Sequence, residues 1–250
     1  LPPLTPQPSK DLTMFVPLSQ APYDSPLIFE QVTEPKLAQR FVRLGISRGD
    51  VVLRMSEEAR ACPVRVRTPK GEAVLATGMA SKVIVHHDDG HKTPIAEMKP
   101  GESGHVEGVV CSPNLEQGLA VLGIENDAAI TMLRVIPPMD YIALFEGSRM
   151  FIPQGAAAKI WGKIDDMEMQ FAVARRDSLF SITKILGGER AVNMLTRMGL
   201  TPGAELRLSS VRPAPGTSCV FKDQTVLATR SGLRLYLRPD LEERILVEAP

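Results

Sequence analysis

Apolar residues recur at i, i+4 and i+7 in three places along the chain. Leu37, Phe41 and Leu44 run into Gly45-Ile46; Leu115, Leu119 and Leu122 run into Gly123-Ile124; Ala191, Leu195 and Met198 run into Gly199-Leu200. Each set makes one stripe on a short helix, and the glycine directly after it supplies the left-handed cap that ends it. Pro35 and Pro113 stand just ahead of the first two stripes, where a missing N–H costs nothing. Each copy then turns tightly, at Arg48-Gly49, Asn126-Asp127 and Pro202-Gly203, and alternates apolar with polar residues as a half-buried strand does. A cation and an aliphatic strand close each copy: Lys82-Val83-Ile84-Val85, Lys159-Ile160-Trp161 and Arg244-Ile245-Leu246-Val247. The cap glycines lie 78 and 76 residues apart, and the cap-to-cation separations are 37, 36 and 45. The third copy therefore carries an insertion, placed around Arg212-Pro213-Ala214-Pro215-Gly216. Two landmarks in register three times predict a threefold internal repeat.

Each unit is mostly short strands, with one helix inserted early and a helical turn before the last strand. A unit this small hides its strand edges most economically by closing on itself. The pattern predicts a mainly β protein of three small β-barrels in tandem, each with one short inserted α-helix, over 27–88, 92–164 and 178–250. Ahead of them, 1–26 contains seven prolines and the spacing Pro3-Leu4-Thr5-Pro6, and reads as an extended arm with polyproline-II character.

The stretch from Ile182-Thr183-Lys184-Ile185-Leu186-Gly187-Gly188 to Leu195-Thr196-Arg197-Met198-Gly199-Leu200-Thr201-Pro202-Gly203 resembles the core of the ferrous iron transport protein A (FeoA-like) family. Ile95-Ala96-Glu97-Met98-Lys99-Pro100-Gly101-Glu102 is similar to that family's opening strand and turn, and Asp240-Leu241-Glu242-Glu243-Arg244-Ile245-Leu246-Val247 to its close. The resemblance implies SH3-like barrels without catalytic machinery. It also implies a cytoplasmic role in ferrous-iron uptake, docking on or regulating a membrane permease that has a cytosolic GTPase domain. The family pattern is a single barrel, and this chain carries three.

Composition narrows the function without choosing it. Lys plus Arg and Asp plus Glu are both 29, a balance that argues against holding nucleic acid through phosphates. The charge is uneven: by residue count the net is +1 over 1–91, −5 over 92–169 and +4 over 170–250. No stretch is long and apolar enough to insert in a membrane. Cys62, Cys111 and Cys219 form no CxxC pair, which fits buried free thiols in a reducing compartment. No nucleotide-binding, nucleophile-elbow or HExxH motif is present, so no enzyme is expected.

One cluster offers chemistry. His86, His87, Asp88, Asp89 and His91 fall within six residues, and imidazole with carboxylate suits Fe(II), Mn(II) or Zn(II). The same residues also serve as a solvated linker. Partner contacts are expected from the helix arginines Arg40, Arg43, Arg190 and Arg197, which are equally at home as ordinary solvated residues. Two further readings stay open: a metal sensor built on the histidine cluster, and a metal-free scaffold of repeated docking sites.

Overall fold

The computed structural model describes residues 15–57, 59–214, 219–221 and 224–248. The first repeat comprises β1 (Phe15–Pro17), β2 (Pro26–Val32), α1 (Pro35–Arg43), β3 (Val51–Met55), the short β4 (Ala59–Arg60), β5 (Val64–Thr68), β6 (Gly71–Leu75), α2 (Thr77–Ala80) and β7 (Val83–His86). The second runs through β8 (Lys92–Pro94), β9 (Ser103–Val109), α3 (Pro113–Val121), β10 (Ala129–Val135), β11 (Met139–Phe145), β12 (Ser148–Pro153), α4 (Gln154–Ala157) and β13 (Ile160–Ile164). The third has β14 (Met167–Gln170), β15 (Leu179–Ile185), α5 (Glu189–Arg197), β16 (Glu205–Pro213), the short β17 (Val220–Phe221), β18 (Thr225–Thr229), β19 (Arg234–Leu237), α6 (Pro239–Glu242) and β20 (Ile245–Glu248).

The local expectations meet their elements. The three amphipathic stripes are α1, α3 and α5, which bury Leu37 and Phe41, Leu119, and Ala191 and Leu195. Their cap glycines have φ of 86°, 77° and 79°, and the turns that follow place Gly49, Asp127 and Gly203 at φ of 91°, 65° and 92°. These are left-handed values that a glycine adopts freely and an aspartate tolerates.

The assembly of the repeats differs from the expected tandem. The chain forms three six-stranded sheets, ordered β1-β20-β2-β3-β18-β19, β6-β5-β10-β9-β7-β8 and β12-β11-β16-β15-β13-β14. Sheet membership does not follow the segments 27–88, 92–164 and 178–250; each is divided between two sheets. The front half of a repeat (strand, long helix, strand) pairs with the back half of the repeat before it, and the first front half pairs with the last back half. The exchange is cyclic, so β1 near the start of the chain lies beside β20 at its end, with Phe15 opposite Glu248. None of the sheets closes as a hydrogen-bonded barrel among the described residues.

The crossings explain the exchange. Pro63 precedes β5, Pro137-Pro138 separate β10 from β11, and Pro213 ends β16. Proline fixes φ and lacks a donor, which disfavours a tight hairpin at these links, most of all at the three-residue link between β10 and β11. The crossings hold one another: Ile136 N–H donates to Pro63 O at 2.8 Å, Ala214 N–H to Pro138 O at 2.9 Å and Ala61 N–H to Cys219 O at 2.9 Å. At the third of these contacts Cys62 and Cys219, 157 residues apart, form a disulfide, so two of the three cysteines are not the free thiols expected. Cys111 remains a thiol, and burial pushes its pKa up to about 12.

The second half of the expected arm is packed, because Leu18 and Ala21 are buried against the first sheet. The Pro2–Pro8 run and Pro215-Gly216 of the third-repeat insertion lie outside the described residues, while Arg212 and Pro213 belong to β16.

Candidate functional site

His86 ends β7, and the antiparallel register sets it opposite His105 on β9. The two rings meet edge to face with centroids 4.9 Å apart. Glu107 follows at the next position on that face, where the register shifts between the Ile84 and Val85 pairs and leaves it unpaired in a β-bulge. Bulges re-aim the side chains they carry. Glu107 Oε2 lies 3.4 Å from His86 Nδ1 and 3.9 Å from His105 Nε2. One ligand atom from each residue falls within 4.8 Å of the others. Lys92 Nζ donates to the other carboxylate oxygen, Oε1, at 3.2 Å, which orients the carboxylate and leaves Oε2 toward the imidazoles. Exposure rises from 15% at Glu107 through 31% at His86 to 43% at His105, so the group opens to solvent on one side. Two imidazoles and one carboxylate with open positions are a donor set for Fe(II), Mn(II) or Zn(II).

The other members of the sequence cluster go elsewhere. His87 is buried and spends both ring nitrogens, Nδ1 on Ser103 O at 3.0 Å and Nε2 on Thr93 Oγ1 at 2.8 Å. Its ring stacks on that of His91 at 4.0 Å. His91 Nδ1 bonds Asp89, whose pKa is lowered by hydrogen bonds from the His91 backbone and ring. Asp88 is exposed in the turn. These four residues shape the β7–β8 hairpin, and only His86 reaches the triad. His105 and Glu107 escaped sequence reasoning because they sit 19 and 21 residues beyond His86. The available signal was their spacing of two, which puts both on one face of a strand.

The helix arginines also have structural partners. Arg40 donates to Cys111 O and, at 2.5 Å, to Glu116 Oε2 on α3. Arg43 donates to Glu107 O and, at 2.8 Å, to Asp127 Oδ1. Both therefore clasp α1 to the front half of the second repeat, a use that individual helix patterns do not reveal. Arg190 opens α5 and lines a cavity where the three long helices meet. Arg197 is exposed in the last turn of α5.

No helix among the described residues is long and apolar enough to cross a membrane. No curated protein and no solved structure matches the chain. The family model of the FeoA domain matches residues 93–164, a span that contains His105 and Glu107 and runs from β8 to the end of β13, across two sheets. Over that span the chain is similar to a FeoA domain.

Proposed function

We propose that the protein is a non-enzymatic, metal-responsive regulator of ferrous-iron transport that binds a divalent transition metal at His86, His105 and Glu107. The observation that carries this reading is the convergence of two imidazoles and a carboxylate on paired strands, with His105 and Glu107 inside the span similar to a FeoA domain. The similarity supports the iron-transport setting, and the donor set supports metal binding. In this reading the site joins the back half of the first repeat to the front half of the second, so an ion there tightens that exchange. The output is a protein contact, with a membrane iron permease bearing a GTPase domain as the partner the resemblance implies.

Anaerobic calorimetry with Fe(II) tests this on the wild type, on His105→Ala/Glu107→Ala and on His87→Ala/His91→Ala. Near-stoichiometric heat that disappears in the first variant and persists in the second is expected. No saturable heat in the wild type, or heat that follows His87 and His91 instead, overturns the assignment.

A further inference from the structure

Helices α1, α3 and α5 bring their N-terminal ends together around a cavity of about 570 Å³. Each repeat supplies the same two parts to it: the residues that open its long helix, near 34–37, 110–115 and 187–191, and its closing cation, Lys82, Lys159 or Arg244. The arrangement is made three times by one backbone contact. Val110 N–H donates to Lys82 O at 2.8 Å, Leu186 N–H to Lys159 O at 2.6 Å, and Thr33 N–H to Arg244 O at 2.8 Å. None of the three helices has a side-chain hydrogen bond at its N-cap, and although Leu115 and Ala191 N–H turn back to Ser112 O and Gly188 O, the N–H groups of Lys36, Asn114, Glu189 and Arg190 and the positive dipole ends remain for another acceptor.

The charge in the cavity is one-sided. Seven cationic side chains and three carboxylates line it. Arg244 pairs with Glu34, Arg238 with Asp240 and Arg40 with Glu116. The other four have no such counter-ion among the described residues: Lys36 and Arg190 are exposed, and Lys82 and Lys159 are drawn in from solvent. Lys82 is 3% exposed and bonds only neutral oxygens, Gln224 Oε1 at 3.0 Å and the Tyr236 carbonyl. The Lys159 ammonium has no hydrogen bond or ion pair with any described residue, and burial lowers its pKa. A buried ammonium without an opposing charge is costly, and a second one in the same cavity raises that cost. An anion between them removes it.

We infer that this cavity binds a small multivalent oxyanion whose phosphoryl or carboxylate groups engage Lys82, Lys159 and the three helix ends. The volume is in the range of small-molecule sites, and the partly exposed Leu115 and Leu241 give an organic body apolar surface to rest on. This inference does not depend on the metal triad.

The test is calorimetry of metal-free, full-length protein at low salt with two probes, inorganic tripolyphosphate and citrate. One saturable site per chain is expected for at least one probe, and the stronger probe tells phosphoryl from carboxylate recognition. Lys159→Gln, which removes a partly exposed group and leaves the fold intact, is expected to weaken binding about tenfold or more. His105→Ala leaves it unchanged. Arg190→Ala, at the rim, provides a second and smaller loss. No saturable heat with either probe up to about 1 mM, or equal affinity in the wild type and Lys159→Gln, overturns the inference.

Discussion

The first and second sheets follow one strand plan, yet they are held by opposite means. The second is drawn from a continuous stretch of chain, β5 to β10, whereas the first joins β2 and β3 to strands that begin at Thr225. In the first sheet Arg54, 9% exposed, faces Glu242, 5% exposed, at 3.0 Å. Arg54 also donates to Ala21 O at 2.8 Å and lies 4.0 Å over the Tyr23 ring. The corresponding strand residue of the second sheet is Met132, fully buried in an apolar core. At the solvent-open pairing of β7 with β9 the contrast reverses. Where the second sheet pairs His86 with His105, the first pairs Glu248 with Ile28 and the third pairs Lys163 with Ser181. Where the second has Glu107, the first has Glu30, bound to Arg48 at 2.5 Å, and the third has Thr183. Pairing across a long separation is fixed by a specific polar lock in the core. Pairing within a continuous stretch needs none, and there the solvent-open strand pair carries ligand chemistry instead.

Breaking the lock tests that contrast most severely. Glu242→Ala leaves Arg54 buried without its counter-ion and is expected to cost about 3–5 kcal/mol in urea unfolding. His105→Ala, at a solvent-exposed side chain of the second sheet, is expected to change stability by no more than about 0.5 kcal/mol. Opening the Cys62–Cys219 bond by Cys62→Ser is expected to cost about 2–4 kcal/mol. Thiol titration of the native oxidised protein then finds only Cys111, unreactive near neutral pH until the chain unfolds.

A smaller effect sharpens the comparison at Lys82, which belongs to the second sheet's half of the molecule but bonds the Tyr236 carbonyl in the first. Burial, ahead of the nearby Arg238, lowers its pKa from 10.5 to about 7. The folded protein therefore releases this proton before the unfolded chain does. Between about pH 7 and 10.5 the unfolded state holds more protons, so stability rises with pH across that window. Below it both states are charged and the burial cost is present in full. Lys82→Met is expected to flatten this slope, read from urea midpoints at pH 6.5 and 9.5. An unchanged slope places its origin elsewhere.

Much of this was legible because it is local. The helix stripes, their cap glycines and the turns at Gly49, Asp127 and Gly203 follow from residue-level geometry, and the threefold repeat follows from their spacing. Strand partners did not follow. Alternation fixes which face of β9 is buried, but the same pattern suits β7 or β13 as a neighbour. The prolines at the crossings were visible, and only the assembled sheets show that they pass the chain onward. The closing cations Lys82, Lys159 and Arg244 stood out as a repeated landmark, while their meeting around one cavity is a property of the ring. The disulfide and the triad both join residues far apart in sequence, so neither leaves a local signature.

The neighbouring positions of β1 and β20 set an order of events during synthesis. The front half of the first repeat leaves the ribosome with the third repeat's back half still unmade, a wait of roughly 10–40 s at ordinary elongation rates. Throughout that interval β3 presents an edge that β18 will finally cover. The nearest substitute, β5, belongs to the same repeat and emerges first. Pro63 and the stiffness of its crossing thus act as a timing device, holding the early partners apart until the last strand arrives.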